Sequence, residues 1–383
     1  MRFEFATTTH IIFGPGTIRD VAPLAAEMGK RAFVVTGQGL ERAEPLLEKL
    51  TKQGIEYATF SVTGEPTTII AKTGIEQARQ AKSDLVIGIG GGSALDTGKV
   101  IAAMLTNIGE LEDYLEVVGH GKPLTQSPVP YIAIPTTAGT GAEVTQNAVL
   151  SVPEHQVKVS LRGPLISPRL AVIDPVLTHS MPPSITASTG LDALTQLMEA
   201  YVSNKANPLT DGICREGLKR AGRSLLQAFE DGNDSTARED MALASLFSGL
   251  ALTNAKLGAV HGLAGPLGGM ISAPHGTICA RLLPYVMEAN MQALQNRAPG
   301  SPALVRYDEI AQLLNGSTAT TVDGVEWVRN ICLVLKVPPL SEFGLQEQDF
   351  PTVVAKSQKS SSMKGNPISL TDDELMSILK KSQ

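Results

Sequence analysis

The chain predicts an α/β domain built on a parallel sheet, followed by an all-helical domain. Three observations carry this. Short β-branched apolar runs alternate with helical stretches up to residue 182, strand signal then nearly vanishes, and two prolines stand at the change.

The strand runs are "RAFVVT" (31–36), "EYATF" (56–60), "DLVIGIG" (84–90), "YIAIP" (131–135) and "LAVID" (170–174). Strands separated by helices of ten or more residues form parallel β-α-β units with helices on both faces. "VLSVPEHQVKV" interrupts that rhythm and reads as a hairpin turning at Pro153–Gln156. "THSMPPS" (178–184) is the expected boundary, giving an α/β domain over 1–182 and a helical domain over 183–383.

In the second half "DALTQLMEAYVS", "REGLKRAGRSLLQAFE", "EDMALASLFSGLALTNAKL", "ARLLPYVMEANMQALQ" and "YDEIAQLLN" carry helical periodicity. Thr371 and Glu374 ahead of "LMSILKK" form a capping box for the last helix, and "KSQKSSSMKGNP" (356–367) reads as a polar loop. With 383 residues, 43% of them hydrophobic and 18% charged, the chain has material for two cores.

A net charge of −6 argues against nucleic acid as a partner, since no basic face is expected. Cys214, Cys279 and Cys332 are odd in number and far apart, so buried reduced thiols are expected rather than a disulfide framework or zinc knuckle. No apolar run reaches membrane-spanning length and the N-terminus lacks a secretory pattern, so no membrane association and a cytoplasmic location are the expectation.

"DLVIGIGGGSALDTGK" (84–99) runs from a buried strand through Gly90-Gly91-Gly92-Ser93 into a helix. Glycines let backbone amides approach an anion closely, and a helix N-terminus adds free N–H donors, so this turn suits a cofactor phosphate. It lacks the last glycine of the dinucleotide fingerprint, and three consecutive glycines exceed what a tight turn with positive φ requires. A second cluster, "PTTAGTGAEVT" (135–145), offers the hydroxyls of Thr136, Thr137, Thr140 and Thr145 after another strand. Both clusters stand at carboxyl ends of strands, where open α/β sheets bind ligands.

"VHGLAGPLGGMISAPHG" (260–276) places His261 and His275 among small and apolar residues. A histidine in such a setting is either a hydrogen-bonded core residue or a metal ligand. "STGLDALTQLMEAY" (188–201) supplies an acidic partner, Asp192, which opens a helix in this reading, with Gln196 four residues on along the same face.

"GGGSALDTGK", "IPTTAGTGAEVT", "MPPSITASTGLDALTQLMEAYVS", "GLALTNAKLGAVHGLAGPLGG" and "APHGTICARLLPYVMEAN", in this order, resemble the iron-containing (group III) alcohol dehydrogenases of the dehydroquinate synthase-like superfamily. The resemblance spans nearly the whole chain. It implies a Rossmann-like dinucleotide-binding domain, an all-α domain holding a divalent metal (Fe2+ or Zn2+), and hydride transfer between a primary alcohol or aldehyde and nicotinamide. A homodimer or larger homo-oligomer is implied as well. Carried over, it gives Asp192, His261 and His275 as metal ligands and catalytic residues, with Gln196 as a further ligand or an orienting partner. Gly91, Gly92, Ser93 and Asp96 match the cofactor-phosphate turn, Thr136, Thr137, Thr140 and Thr145 the second cofactor loop, and Lys158 a lysine near the cofactor ribose.

The chain departs from the family at several places. Gln196 stands where most members have histidine, and a neutral amide oxygen is a weaker ligand than imidazole. Gly265 stands where relatives often place another histidine, which removes the ordinary proton path. The related glycerol dehydrogenases manage with one aspartate and two histidines around zinc, so a three-ligand site suffices in this reading. After "RAFVVT" the chain reads Gly37-Gln38-Gly39 in place of the aspartate of NAD-preferring members, which tilts the expectation from NAD to NADP, while the charge of Glu65 opposes it. Two alternatives stand beside the dehydrogenase: a metal-depleted nucleotide-binding homologue, and a sugar-phosphate cyclase related to 3-dehydroquinate synthase, whose phosphate-binding Lys and Arg residues the site motifs lack.

Overall fold

A computed structural model describes residues 2–383. Two compact units divide it, Ala6–Thr137 with Gly141–Ser180, and Met181–Gln383 with Ala138–Thr140 and the described residues up to Phe5. Of the expected α/β span of 1–182, residues 138–140, 181–182 and the described residues up to Phe5 group with the helical unit, where Ser248 Oγ donates to the Gly139 carbonyl at 3.2 Å.

The α/β unit contains β1 (Ile11–Phe13), β2 (Arg31–Thr36), β3 (Glu56–Ser61), β4 (Leu85–Gly90), β5 (Tyr131–Pro135), β6 (Asn147–Val152), β7 (Val157–Arg162) and β8 (Leu170–Ile173). Its helices are α1 (Val21–Met28), α2 (Glu44–Lys52), α3 (Thr68–Gln80), α4 (Gly92–Met104) and the short α5 (Leu111–Tyr114). Six strands form one sheet in the order β1-β8-β5-β4-β2-β3, each pair parallel. Period-two alternation divides the side chains between its faces. Ala32 and Val34 pack with α1 and α2, while Phe33 and Val35 pack with α3 and α4. β6 and β7 form the expected antiparallel hairpin, with Gln156 in the left-handed region at φ 48°. The edge strand β1 was not legible: it has three residues, and tertiary pairing to β8 defines it.

The chain leaves β2 for β3 at one edge and then returns past β2 to β4, so strand order reverses between β2 and β4. Ligands of open α/β sheets bind outside the carboxyl ends at such a reversal.

The helical unit contains α6 (Pro183–Val202), α7 (Pro208–Glu230), α8 (Ser235–Ala255), α9 (Ala259–Met270), α10 (His275–Arg297), α11 (Pro302–Asn315), α12 (Thr321–Val334), α13 (Phe350–Ser357) and α14 (Asp372–Ser382). They enclose one core in which Leu191, Leu194, Leu263 and Ile278 are fully buried. The Thr371–Glu374 capping box is formed. Among the described residues no single helix is long and apolar enough to cross a membrane.

Two expectations need correction. Asp192 does not open a helix: α6 starts at Pro183, whose missing N–H suits a first-turn position, and Asp192 lies in its middle. The segment 356–367 is more than a polar loop, because it carries the buried Asn366. Its Oδ1 accepts from Ala259 N at 3.0 Å and from Asn290 Nδ2 at 3.1 Å, tying the segment to the start of α9 and to α10.

Candidate metal centre and dinucleotide turn

Positions 192, 196 and 199 follow the i, i+4, i+7 spacing of one helical face, and α6 buries all three side chains. Opposite them α9 carries His261 in its first turn, and α10 begins at His275. Glycine permits both approaches. A Cβ on Gly258 would lie 2.9 Å from Glu199 Oε1 and 2.7 Å from Asn366 Oδ1, and one on Gly276 would overlap the Ser188 carbonyl oxygen of α6.

His261 Nδ1 lies 2.6 Å from Glu199 Oε2, and Glu199 Oε1 also accepts from Val260 N at 2.7 Å. A carboxylate on Nδ1 fixes the tautomer and leaves the Nε2 lone pair for a metal. That Nε2 is 3.3 Å from Asp192 Oδ1, and His275 Nε2 is 3.9 Å from the same oxygen. Cys279 Sγ completes the cluster at 3.7 Å from His261 Nε2 and 3.6 Å from His275 Nε2. The four ligand atoms lie within 4.8 Å of one another.

Burial works against a charged His261, yet the Cys279, Asp192 and Glu199 groups outweigh it and hold the imidazole well above its usual range. Burial likewise opposes a charged Asp192, and His261 and His275 outweigh it, so the carboxyl sits below its usual value. Burial pushes the Cys279 thiol up to about 12. Gln196 Nε2 donates to Asp192 Oδ2 at 3.1 Å, while its Oε1 is buried with no hydrogen-bond partner. Two imidazole nitrogens, a carboxylate oxygen, a thiol and an orphaned amide oxygen together fit a divalent metal.

Sequence reading thus named Asp192, Gln196, His261 and His275, which the structure brings together. It passed over Glu199 and Cys279, although the i+7 spacing from Asp192 and the i+4 spacing from His275 were available signals. Gly265 faces open space, since a Cβ there would meet nothing within 4 Å.

In the α/β unit, Gly37 follows β2 and Gly90 ends β4, at the reversal of strand order. A Cβ on Gly90 would lie 3.1 Å from Gly37 N, so the two backbones nearly touch. Gly91 precedes α4 with φ −77°, so its role is close approach rather than a left-handed turn, and no side chain caps the helix. Gly92 and Ser93 form the first turn of α4, and the Thr137 side chain lies 3.3 Å from where a Gly91 Cβ would be. Thr136 is buried, its N–H donating to the Gly90 carbonyl at 2.9 Å, and Thr140 groups with the helical unit.

Three of the residues expected near the cofactor have protein partners of their own. One Asp96 oxygen accepts from Val149 N at 3.0 Å and the other lies 3.5 Å from Lys99 Nζ. Thr145 Oγ1 accepts from Lys99 Nζ at 2.7 Å. Lys158 Nζ is 3.0 Å from Glu65 Oε2, so the charge expected to oppose a cofactor phosphate is neutralised within the hairpin region. The Glu41 carboxylate, which sequence reading overlooked, folds against Gly39.

Residues 8–175 match the family "Iron-containing alcohol dehydrogenase", and residues 186–383 match "Fe-containing alcohol dehydrogenase family, C-terminal". Alcohol dehydrogenase 4 of Saccharomyces cerevisiae is 35% identical over 380 residues, covering 97% of this chain and 96% of the yeast protein. The crystal structure of a 1,3-propanediol oxidoreductase superposes with a TM-score of 0.92 at 32% identity, covering 100% of both chains. That of a sulfoacetaldehyde reductase from Bifidobacterium kashiwanohense in complex with NAD+ gives 0.87 at 27% identity, covering 100% of this chain and 99% of that one. The ligand-bearing helices, the glycine turn at the strand reversal and these likenesses lead to one conclusion: the chain belongs to the iron-containing alcohol dehydrogenase family, and it is an oxidoreductase of the alcohol dehydrogenase class.

Proposed function

We propose that the protein is a metal-dependent, NAD-linked reductase of small aldehydes and dehydrogenase of the corresponding primary alcohols. The observation that carries this is the convergence of Asp192 Oδ1, His261 Nε2 and His275 Nε2 on one point of the helical unit. When bound, the metal supplies Lewis acidity at the substrate oxygen and the nicotinamide supplies or accepts the hydride.

The chain's own residues hold and aim these groups. Asp192, His261 and His275 are the metal ligands, and Glu199 keeps His261 in the tautomer that offers Nε2. Gln196 orients Asp192 through Oδ2 and leaves Oε1 as an acceptor for a substrate hydroxyl or water. Gly265 offers no group to move the proton, so it leaves by water or cofactor ribose hydroxyls. Gly37, Gly91, Gly92 and Ser93 present backbone amides to the pyrophosphate, with Thr136 and Thr137 beside it. Asp96, Thr145 and Lys158 support these loops through Val149, Lys99 and Glu65. Glu41 restores a negative charge to the loop after β2, which favours the ribose hydroxyl of NAD over the 2′-phosphate of NADP. This reverses the tilt drawn from the missing aspartate. A homo-oligomer remains the family-based expectation.

The test follows oxidation of NADH and NADPH by the purified protein with a panel of short aldehydes, before and after chelation and metal return. Expected are NADH-dependent turnover that chelation abolishes and metal restores, and loss of activity in His261→Ala. Stoichiometric metal and bound dinucleotide without turnover on any aldehyde would establish a nucleotide-binding homologue instead. Glu41→Ser raises the NADPH-to-NADH ratio of kcat/KM; an unchanged ratio removes Glu41 from the preference.

A further inference from the structure

We infer that Cys279 is a fourth protein ligand, so that the metal sits in a carboxylate, two-imidazole, thiolate set that suits Zn2+ better than Fe2+. This rests on the proposed metal site and says which atoms complete it. The geometry is specific. With metal–nitrogen distances of about 2.05 Å and a metal–sulfur distance of about 2.3 Å, tetrahedral angles place N and S about 3.5 Å apart and N and O about 3.3 Å apart. Cys279 Sγ stands 3.7 and 3.6 Å from the two Nε2 atoms, and His261 Nε2 stands 3.3 Å from Asp192 Oδ1. His275 Nε2 to Asp192 Oδ1 is wider at 3.9 Å, and all the ligand atoms lie within 4.8 Å of one another.

A thiol packed for hydrogen bonding needs one close partner, whereas Sγ lies 3.7 and 3.6 Å from two ring nitrogens that both also turn toward Asp192 Oδ1. Cys279 also follows His275 by one helical turn, so α10 aims both side chains at the same point. Gln196, by contrast, spends its amide nitrogen on Asp192 and acts as a positioning residue. As the metal–sulfur bond forms, the thiol proton is released to solvent. A soft thiolate added to two imidazoles selects zinc among the common divalent ions of a family otherwise associated with iron. Four protein ligands would fill a tetrahedral shell, so a substrate oxygen would join as a fifth ligand, from the side marked by His275, whose side chain is 32% exposed.

The experiment replaces the metal of the full-length protein with Co2+ and records the near-ultraviolet sulfur-to-cobalt charge-transfer band. Wild type shows the band, Cys279→Ser loses it, and Gln196→Ala and Cys332→Ser keep it. Zn2+ binding, measured by chelator competition, weakens in Cys279→Ser by more than the roughly 10–100-fold that loss of an outer-sphere partner costs. The Zn2+-over-Fe2+ preference narrows in the same variant. Zinc-edge X-ray absorption of wild type needs no variant and should show one sulfur at about 2.3 Å. Bound cobalt without the band, together with a sulfur-free zinc shell, overturns Cys279 as a ligand. Aldehyde turnover by the same preparation reads the dehydrogenase assignment separately: activity without the band removes only Cys279, and the band without activity removes only the dehydrogenase.

Discussion

Glu199 touches none of the reacting groups, yet it governs His261. Glu199→Gln keeps the shape but offers Nδ1 an amide N–H donor, which shifts the ring proton to Nε2, so metal affinity should fall about 10–100-fold while the secondary structure is unchanged. Chelator competition with circular dichroism as control checks this; unchanged affinity would sink the assignment. Glu143 illustrates the opposite use of burial. It is 2% exposed in the second glycine–threonine loop, and burial raises its pKa from 4.5 to about 7. A raised carboxyl favours the fold while protonated, so this contribution is complete below pH 4.5 and is lost as pH rises through about 7. The change amounts to roughly 3 kcal/mol. Glu143→Gln should therefore flatten the fall of Tm between mildly acid and mildly alkaline solution, and parallel wild-type and variant curves would refute it.

At the scale of elements, the site exists because three helices approach more closely than side chains allow. Gly276→Ala forces a Cβ into the Ser188 carbonyl of α6, so α10 must move outward and carry His275 and Cys279 with it. Expected are a lower Tm and loss of bound metal in Gly276→Ala, against little change in Gly265→Ala, where the space is open. Equal metal content in the two variants would contradict this account. The same elements show what was legible in sequence. Strands such as β2 and β4 carry their burial in continuous apolar runs, and α6, α7 and α8 carry theirs in periodicity. β1 and α9 did not declare themselves, since one is three residues of borrowed pairing and the other is rich in glycine with Pro266 inside it. Asp192, His261 and His275 stood out because ligand types rarely occur in such apolar surroundings. Cys279 did not, because a buried thiol is usually inert packing.

At the scale of the whole molecule, the two proposed tasks fall to different units: the glycine turn at the strand reversal belongs to the α/β unit, and every proposed metal ligand belongs to the helical one. Removing the metal should accordingly raise hydrogen exchange in α6, α9 and α10 and leave β2 and β4 protected. Exchange rising equally in the sheet would show that the metal stabilises both units. The division also bears on how the protein acquires its ion. His261 is 69 residues from Asp192 along the chain, and only Asp192 with Gln196 and His275 with Cys279 are near neighbours. An unfolded or half-synthesised chain therefore offers no assembled chelate. In the proposed site the choice of ion would fall to a finished pocket, after the helices have docked, from whatever the surroundings then supply.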